Sequence, residues 1–344
     1  MIKVGLVGMP NSGKTTLFNA LCEASAEVAP YPFTTKNKNI GSLFFKDKRL
    51  KELSEFLGSS KITPAQVEVV DVAGLIKGAH KGEGLGNEFL SYIRPLDAFA
   101  FVLRMFEGSN VPHSYGYSDP QRDLEILRYE IAMSDLSILE RKEENLQKAA
   151  KRGDKEASKS LDIISRLKEK IETFSETGEF KTDDVLMDSL SSDLICKKPY
   201  FLIINTDIGK DKWKNLESVT TSSKRILITD AVAENELIKF SEEERDSLGE
   251  EPFVYNFTAV CLEVLGMISF FTGFRGGELR AHFVKNGTNC YEAAGLIHSD
   301  IQKGFISADV MNYSDAIMKK EKFMTVGKDY VVKDGDLIRI KFSK

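Results

Sequence analysis

Apolar positions fall into short continuous runs separated by polar turns over much of the chain, and they take a helical period only in one long central stretch. The first run, Met1–Val7, reads as a strand, and Thr16–Leu21 begins a helix a few residues later. Further runs at Ser42–Phe45, Val67–Val72, Phe99–Leu103, Tyr200–Ile204 and Arg225–Thr229 have the length and β-branched or aromatic content of strands buried on both faces. Strands alternating with helices predict an α/β fold with a mostly parallel sheet, whose ligands bind at the strand C-termini.

From Gln121 to Lys198 there is no proline, and the only glycines are Gly153 and Gly178. Leu124, Leu127, Ile131 and Ile138 share one helical face before Gly153, and Leu161, Ile164, Leu167, Ile171 and Phe174 share one after it. Two amphipathic helices that turn near Gly153-Asp154 predict an antiparallel helical hairpin inserted into the α/β unit. Beyond Gly277 the texture changes to short strands at Leu279–Val284, Phe305–Val310, Tyr330–Val332 and Leu337–Phe342, with a tight turn at Asp334-Gly335-Asp336. That pattern predicts a small α+β domain. The expected division is 1–118 and 181–276 for the nucleotide-type domain, 119–180 for the insertion and 277–344 for the last domain.

The candidate chemistry lies in the turn after the first strand. Gly8-Met9-Pro10-Asn11-Ser12-Gly13-Lys14-Thr15 is a P-loop, G-x-x-x-x-G-K-[ST], with a strand before it and a helix after it. Its glycines let the backbone wrap a phosphate with successive N–H groups pointing inward, Asn11 to Thr16 supplying the contacts. Lys14 is expected on the β- and γ-phosphates, and the Thr15 hydroxyl on Mg²⁺. Asp71, in Asp71-Val-Ala-Gly74, ends the apolar strand that should lie beside the P-loop. There it can hold a Mg²⁺-bound water while the Gly74 N–H touches the γ-phosphate. Thr35, after Tyr31-Pro32-Phe33-Thr34, is the loop hydroxyl expected to complete the metal's ligands. A glycine-rich loop containing Gly78, Gly82, Gly84 and Gly86 follows directly, as in a segment that changes shape with the nucleotide.

Composition adds limits. The 344 residues are 42% hydrophobic and 29% charged, an ordinary globular balance with room for more than one domain. The net charge of −5 announces no nucleic-acid partner for the whole chain, but Leu279–Lys344 holds 11 basic and 8 acidic residues. Its +3 stands against −8 for the remainder and marks it, with Lys319, Lys320 and Lys322, as the place for an anionic partner. Cys22, Cys196, Cys261 and Cys290 are dispersed, which suits a reducing compartment and argues against zinc. No apolar run approaches the ~20 residues of a membrane span and the first strand begins at once, so a cytoplasmic protein is expected.

These stretches together resemble the YchF (Obg-like) ATPases, a branch of the translation-factor-related P-loop GTPases. The resemblance is carried by Gly5–Leu21, Tyr31–Phe33, Asp71–Ala79, Lys81–Asn87, Ala293–Asp300, Lys303–Ile306 and Gly327–Tyr330. It implies a G domain interrupted by a coiled-coil hairpin and ending in a ubiquitin-like TGS domain. It also implies Mg²⁺-dependent ATP hydrolysis and association with ribosomes, the large subunit being the expected contact and the TGS domain an RNA-binding face. Family members carry a histidine at the place of His113, a candidate for positioning the attacking water. Asn205 heads the base-reading motif, N-x-x-E in the family, but Ile208 stands where the acid belongs and Asp207 lies one residue early. Guanine recognition needs a carboxylate that accepts from both N1–H and the exocyclic amine, so adenine preference is expected. A GTPase of the same architecture is the alternative, and a nucleotide-gated ribosome- or RNA-binding module with incidental hydrolysis a third reading. Leu75 follows Gly74 where many GTPases have a water-orienting glutamine, so slow turnover by the isolated protein is expected.

Overall fold

The computed structural model describes residues 2–28, 39–74, 90, 92–107, 112–183, 185–207, 225–318 and 323–343. Several expectations lie outside these residues: Tyr31–Phe33 and Thr35, Leu75 and the loop with Gly78–Gly86, Ile208, and the cluster Lys319, Lys320 and Lys322.

In chain order the elements are β1 (Ile2–Val7), α1 (Lys14–Val28), β2 (Ile40–Phe44), α2 (Arg49–Leu57), β3 (Lys61–Thr63), β4 (Gln66–Asp71) and β5 (Ala98–Arg104). The hairpin follows as α3 (Pro120–Ala150) and α4 (Lys155–Thr177), then α5 (Val185–Leu190), β6 (Tyr200–Asn205), β7 (Ile226–Thr229), α6 (Ala231–Leu237), α7 (Glu242–Leu248) and α8 (Phe253–Val264). The C-terminal part holds β8 (Met267–Thr272), β9 (Glu278–Lys285), α9 (Cys290–Ile297), α10 (Ser299–Lys303), β10 (Phe305–Asn312), α11 (Tyr313–Ile317), β11 (Met324–Val326) and β12 (Asp336–Phe342).

The first sheet has the order β2-β4-β1-β5-β6-β7. Its pairs β1–β5, β5–β6 and β6–β7 are parallel, as the uninterrupted apolar runs predict. Every residue of β5 is buried. The register sets Arg104 opposite Asn205, so the last residues of two adjacent strands meet at the C-terminal edge.

The helical hairpin is present and capped by its own sequence. Asp119 accepts from the Arg122 N–H and Pro120 opens α3, where its missing N–H costs nothing. Asp154 accepts from Glu156 and Ala157 to start α4. Leu124, Leu127 and Ile131 of α3 join Ile164, Leu167, Ile171 and Phe174 of α4 in one core with Phe99 and Phe101 of β5. Ile138 is only half-buried and Leu139 takes the inner position. Gly178 ends α4 at φ +78°, and an added Cβ there would collide with the Tyr200 hydroxyl.

The chain forms two compact units. One takes in Met1–Ala24 and Glu68–Asn256, and the other joins Ser42–Val67 to Phe257–Lys344. The sheet of the second unit runs β11-β10-β12-β8-β9-β3, with β3 pairing in parallel to β9. Leu50, Leu53 and Leu57 of α2 share a core with Phe271, Leu279, Met311 and Leu337. The strand expected at Tyr330–Val332 does not form. Val331 makes one isolated bridge to Asn289, because the Tyr330 carbonyl accepts from Cys290 and the Val332 N–H donates to Thr288.

Candidate functional site

The P-loop joins the buried end of β1 to the first turn of α1, at the C-terminal edge of the parallel sheet. Gly8 packs so closely on the Val102 carbonyl that an added Cβ would come within 2.5 Å of it. Asn11 has φ +62°, the only non-glycine residue in the left-handed region among the described residues. Gly13 follows at φ +90°, where a Cβ would run into the Asn205 side-chain amide.

Lys14 is buried with its ammonium inside the loop, donating to the carbonyls of Gly8 at 3.1 Å and Met9 at 2.8 Å. Burial pushes its pKa down to about 8, against a smaller upward pull from Asp71. The Thr15 hydroxyl donates to Asp71 Oδ2 at 2.7 Å across the sheet edge. Asp71 Oδ1 is buried without a hydrogen-bond partner among the described residues, and so is the Ser12 hydroxyl. An orphaned carboxylate oxygen beside a hydroxyl is a hard, oxygen-only donor pair, and it fits Mg²⁺. Gly74 rests on the loop from the other side, its Cβ position 2.8 Å from Pro10 N. The half-buried Thr16 gives its carbonyl to Asn235. Lys14, Thr15, Asp71, Gly74 and the loop residues 11–13 are thus brought to one edge.

Asn205 is buried there too, but its side chain acts as a brace. Nδ2 donates to the Ser12 carbonyl at 3.1 Å, and Oδ1 accepts from the Ala231 N–H at 3.0 Å. Asp207 is exposed. His113 is also turned to structural use. Its Nε2 lies 2.8 Å from Asp123 Oδ2, and its Nδ1 accepts from the Tyr115 N–H at 3.1 Å, which makes Nε2 the donor. Arg122, stacked between Tyr115 and Tyr117, donates to the other Asp123 oxygen. Both ring nitrogens are therefore committed at the entry to the hairpin.

The sequence reading missed Arg104. The residue is buried, donates from Nη1 to the Asn11 carbonyl at 3.3 Å, and lies 4.3 Å from the centroid of the Phe106 ring. A cation closing the wholly apolar run Phe99–Leu103 was the signal available for it. Pro112, whose carbonyl accepts from Asn11 Nδ2 at 3.0 Å, carried no such signal.

A family model described as 50S ribosome-binding GTPase matches residues 3–142, and the YchF GTPase C-terminal model, described as a protein of unknown function, matches 267–343. The chain is 35% identical to the ribosome-binding ATPase YchF of Bacillus subtilis and 37% identical to that of Haemophilus ducreyi, each over 99% of both chains. It is 35% identical to the same-named protein of Escherichia coli O157:H7, again over 99% of both. Among solved structures it is similar to the YchF GTPase of Schizosaccharomyces pombe, with 28% identity, a TM-score of 0.86, and 99% of this chain and 97% of the other covered.

Proposed function

Since the chain belongs to the YchF family, we propose that it is a Mg²⁺-dependent P-loop nucleotide hydrolase that takes ATP and acts on the ribosome as a slow switch. The observation that carries this reading is the pairing of Thr15 with Asp71 at 2.7 Å, with a second Asp71 oxygen left unpartnered among the described residues, near the buried Lys14.

In this reading the backbone N–H groups of residues 11–16 and the start of α1 grip the β-phosphate, and the Lys14 ammonium leaves the Gly8 and Met9 carbonyls for the phosphate oxygens. The Thr15 hydroxyl, Asp71 and Thr35 would hold the metal. Bound there, Mg²⁺ supplies neutralisation of charge on the β- and γ-oxygens. The Gly74 N–H steadies the γ-phosphate. Asn205 keeps the loop in place while it borders the base, and His113 serves the attacking water once its ring is released from Asp123.

The large ribosomal subunit is the proposed partner, supported by the wording of the family model over 3–142. Contact with RNA through the C-terminal part is supported by its +3 charge. A cytoplasmic location is supported by the ribosome-binding relatives; no helix among the described residues is long and apolar enough to cross a membrane. GTP is the second reading, favoured by the word GTPase in the family model and the yeast structure.

Phosphate release from ATP and from GTP, each with and without Mg²⁺, tests the proposal on the purified protein. ATP turnover that needs Mg²⁺ and is lost in Lys14→Ala, with the fold intact, is the expected result. Full turnover in Lys14→Ala would refute the assignment, and tighter calorimetric binding of GTP than ATP would transfer it to the second reading.

A further inference from the structure

Two register-paired residues stand under the phosphate loop, one on each of two adjacent strands, and each holds one of two successive loop carbonyls. Asn205 holds Ser12 and Arg104 holds Asn11. The Asn11 peptide is the demanding one. At φ +62° Asn11 lies in the left-handed region, which asparagine tolerates better than other non-glycine residues but which still needs local bonds to hold it. Three contacts do so. Asn11 Nδ2 ties the side chain to Pro112, the Ser12 N–H closes the turn on Met9, and Arg104 pulls the Asn11 carbonyl toward the sheet.

The guanidinium is itself fixed. Its Nε donates to the Phe106 carbonyl at 3.1 Å and its plane lies against the Phe106 ring, whose edge also flanks Gly13. The Ser118 hydroxyl anchors the Arg104 carbonyl at 2.6 Å, so the backbone that carries the guanidinium is held as well. Because C=O and N–H of a trans peptide point in opposite directions, the setting of the Asn11 carbonyl decides the course of the loop. It thereby decides where the N–H groups of the residues after it face.

We propose that Arg104 is a positioning residue of the phosphate site, holding the Asn11 carbonyl and the left-handed turn so that the following N–H groups meet the nucleotide phosphates. The proposal rests on the reading of the P-loop as the nucleotide site. Arg104 acts through Asn11 and touches no phosphate. The cradle grips the β-phosphate before and during reaction, so its loss weakens substrate and transition state alike, raising KM with little change in kcat.

The experiment compares wild type with Arg104→Met, Arg104→Lys and Phe106→Leu. The readouts are thermal unfolding, calorimetric affinity for Mg²⁺-ADP and a non-hydrolysable ATP analogue, and steady-state kcat and KM per folded molecule. Arg104→Met should weaken both nucleotides and raise KM about tenfold, with kcat within about threefold of wild type. Arg104→Lys keeps one donor without the fork or the stack, and Phe106→Leu removes the surface that fixes the guanidinium, so each should weaken binding about threefold. Wild-type affinity in Arg104→Met despite a lowered unfolding temperature would overturn the proposal. If that variant does not fold, wild-type affinity in Phe106→Leu and Arg104→Lys overturns it equally. Wild-type protein that neither binds nor hydrolyses nucleotide would instead defeat the reading of the P-loop, and with it this proposal.

Discussion

Lys14 holds a positive charge in a place that disfavours it. Its ammonium is buried against two carbonyls and its pKa is depressed to about 8, whereas an approaching phosphate favours the charged form. The free protein therefore carries the charge fully only below that pH, and binding must recover a proton above it. Nucleotide affinity should be level below about pH 7 and fall by about tenfold between pH 7 and pH 9, as titration calorimetry with Mg²⁺-ADP would record. His113 is pinned as firmly. Replacing it with alanine leaves the buried Asp123 carboxylate without its imidazole donor, at an expected cost of about 2–4 kcal/mol in urea unfolding. Turnover per folded molecule then separates the two roles. A large drop shows the ring working on water, and full turnover confines it to the bracket with Asp123.

At the scale of elements, the hairpin is joined to the sheet through buried polar groups. Asp135 of α3 accepts from the Cys196 N–H at 2.8 Å, in the turn that leads into β6. Burial raises its pKa to about 6, outweighing the hydrogen bonds from Cys196 and Ile195 and the charge of Arg94. A carboxyl whose folded pKa lies above its unfolded value gives full stability below pH ~4 and loses it as the pH rises through 6. At neutral pH the ionised form costs about 2–3 kcal/mol. Asp135→Asn keeps an acceptor for Cys196 without the charge. Its stability relative to wild type should rise by about 2 kcal/mol between pH 4 and pH 7.5, measured by urea unfolding at both. A difference that stays constant with pH would mean that the carboxyl ionises at the same pH in the folded and unfolded chains, so that burial does not raise its pKa.

On the scale of the whole molecule, the C-terminal unit is assembled from two distant parts of the sequence. Arg49 donates to Asp334 at 2.6 Å, Tyr313 donates to Glu52, and the leucines of α2 face Phe271, Met311 and Leu337. Deleting 279–344 would bare Leu50, Leu53 and Leu57, each worth roughly 1.5–3 kcal/mol of burial. Residues 42–67 should then become readily cleaved by trypsin, and the cleavage would fall just before β4, which ends at Asp71. Protection of 42–67 in the truncated protein would show that this segment folds without the C-terminal part. Ribosome contacts are accordingly better mapped with surface charge substitutions than with truncation.

The sequence by itself determined the phosphate loop, the parallel sheet and the hairpin, because each depends on short-range pattern. The loop needs glycine at fixed spacings, the buried strands read as uninterrupted apolar runs, and the hairpin shows a helical period broken at Gly153. It also brought Lys14, Thr15, Asp71 and Gly74 together, since a strand end beside a P-loop has one place to go. Only the tertiary structure decided the rest. Lys61–Thr63 is too short to announce a strand, and it becomes one by pairing with Glu278–Arg280, more than two hundred residues away. Tyr330–Val332 looks like a strand, yet its hydrogen bonds go to the residues around Asn289. The hydrogen-bond partners of Arg104, Asn205 and His113 were settled by residues far along the chain or by local turns of the backbone. A side chain's residue type fixes what it can bond, and the fold fixes which atom stands within 3 Å of it.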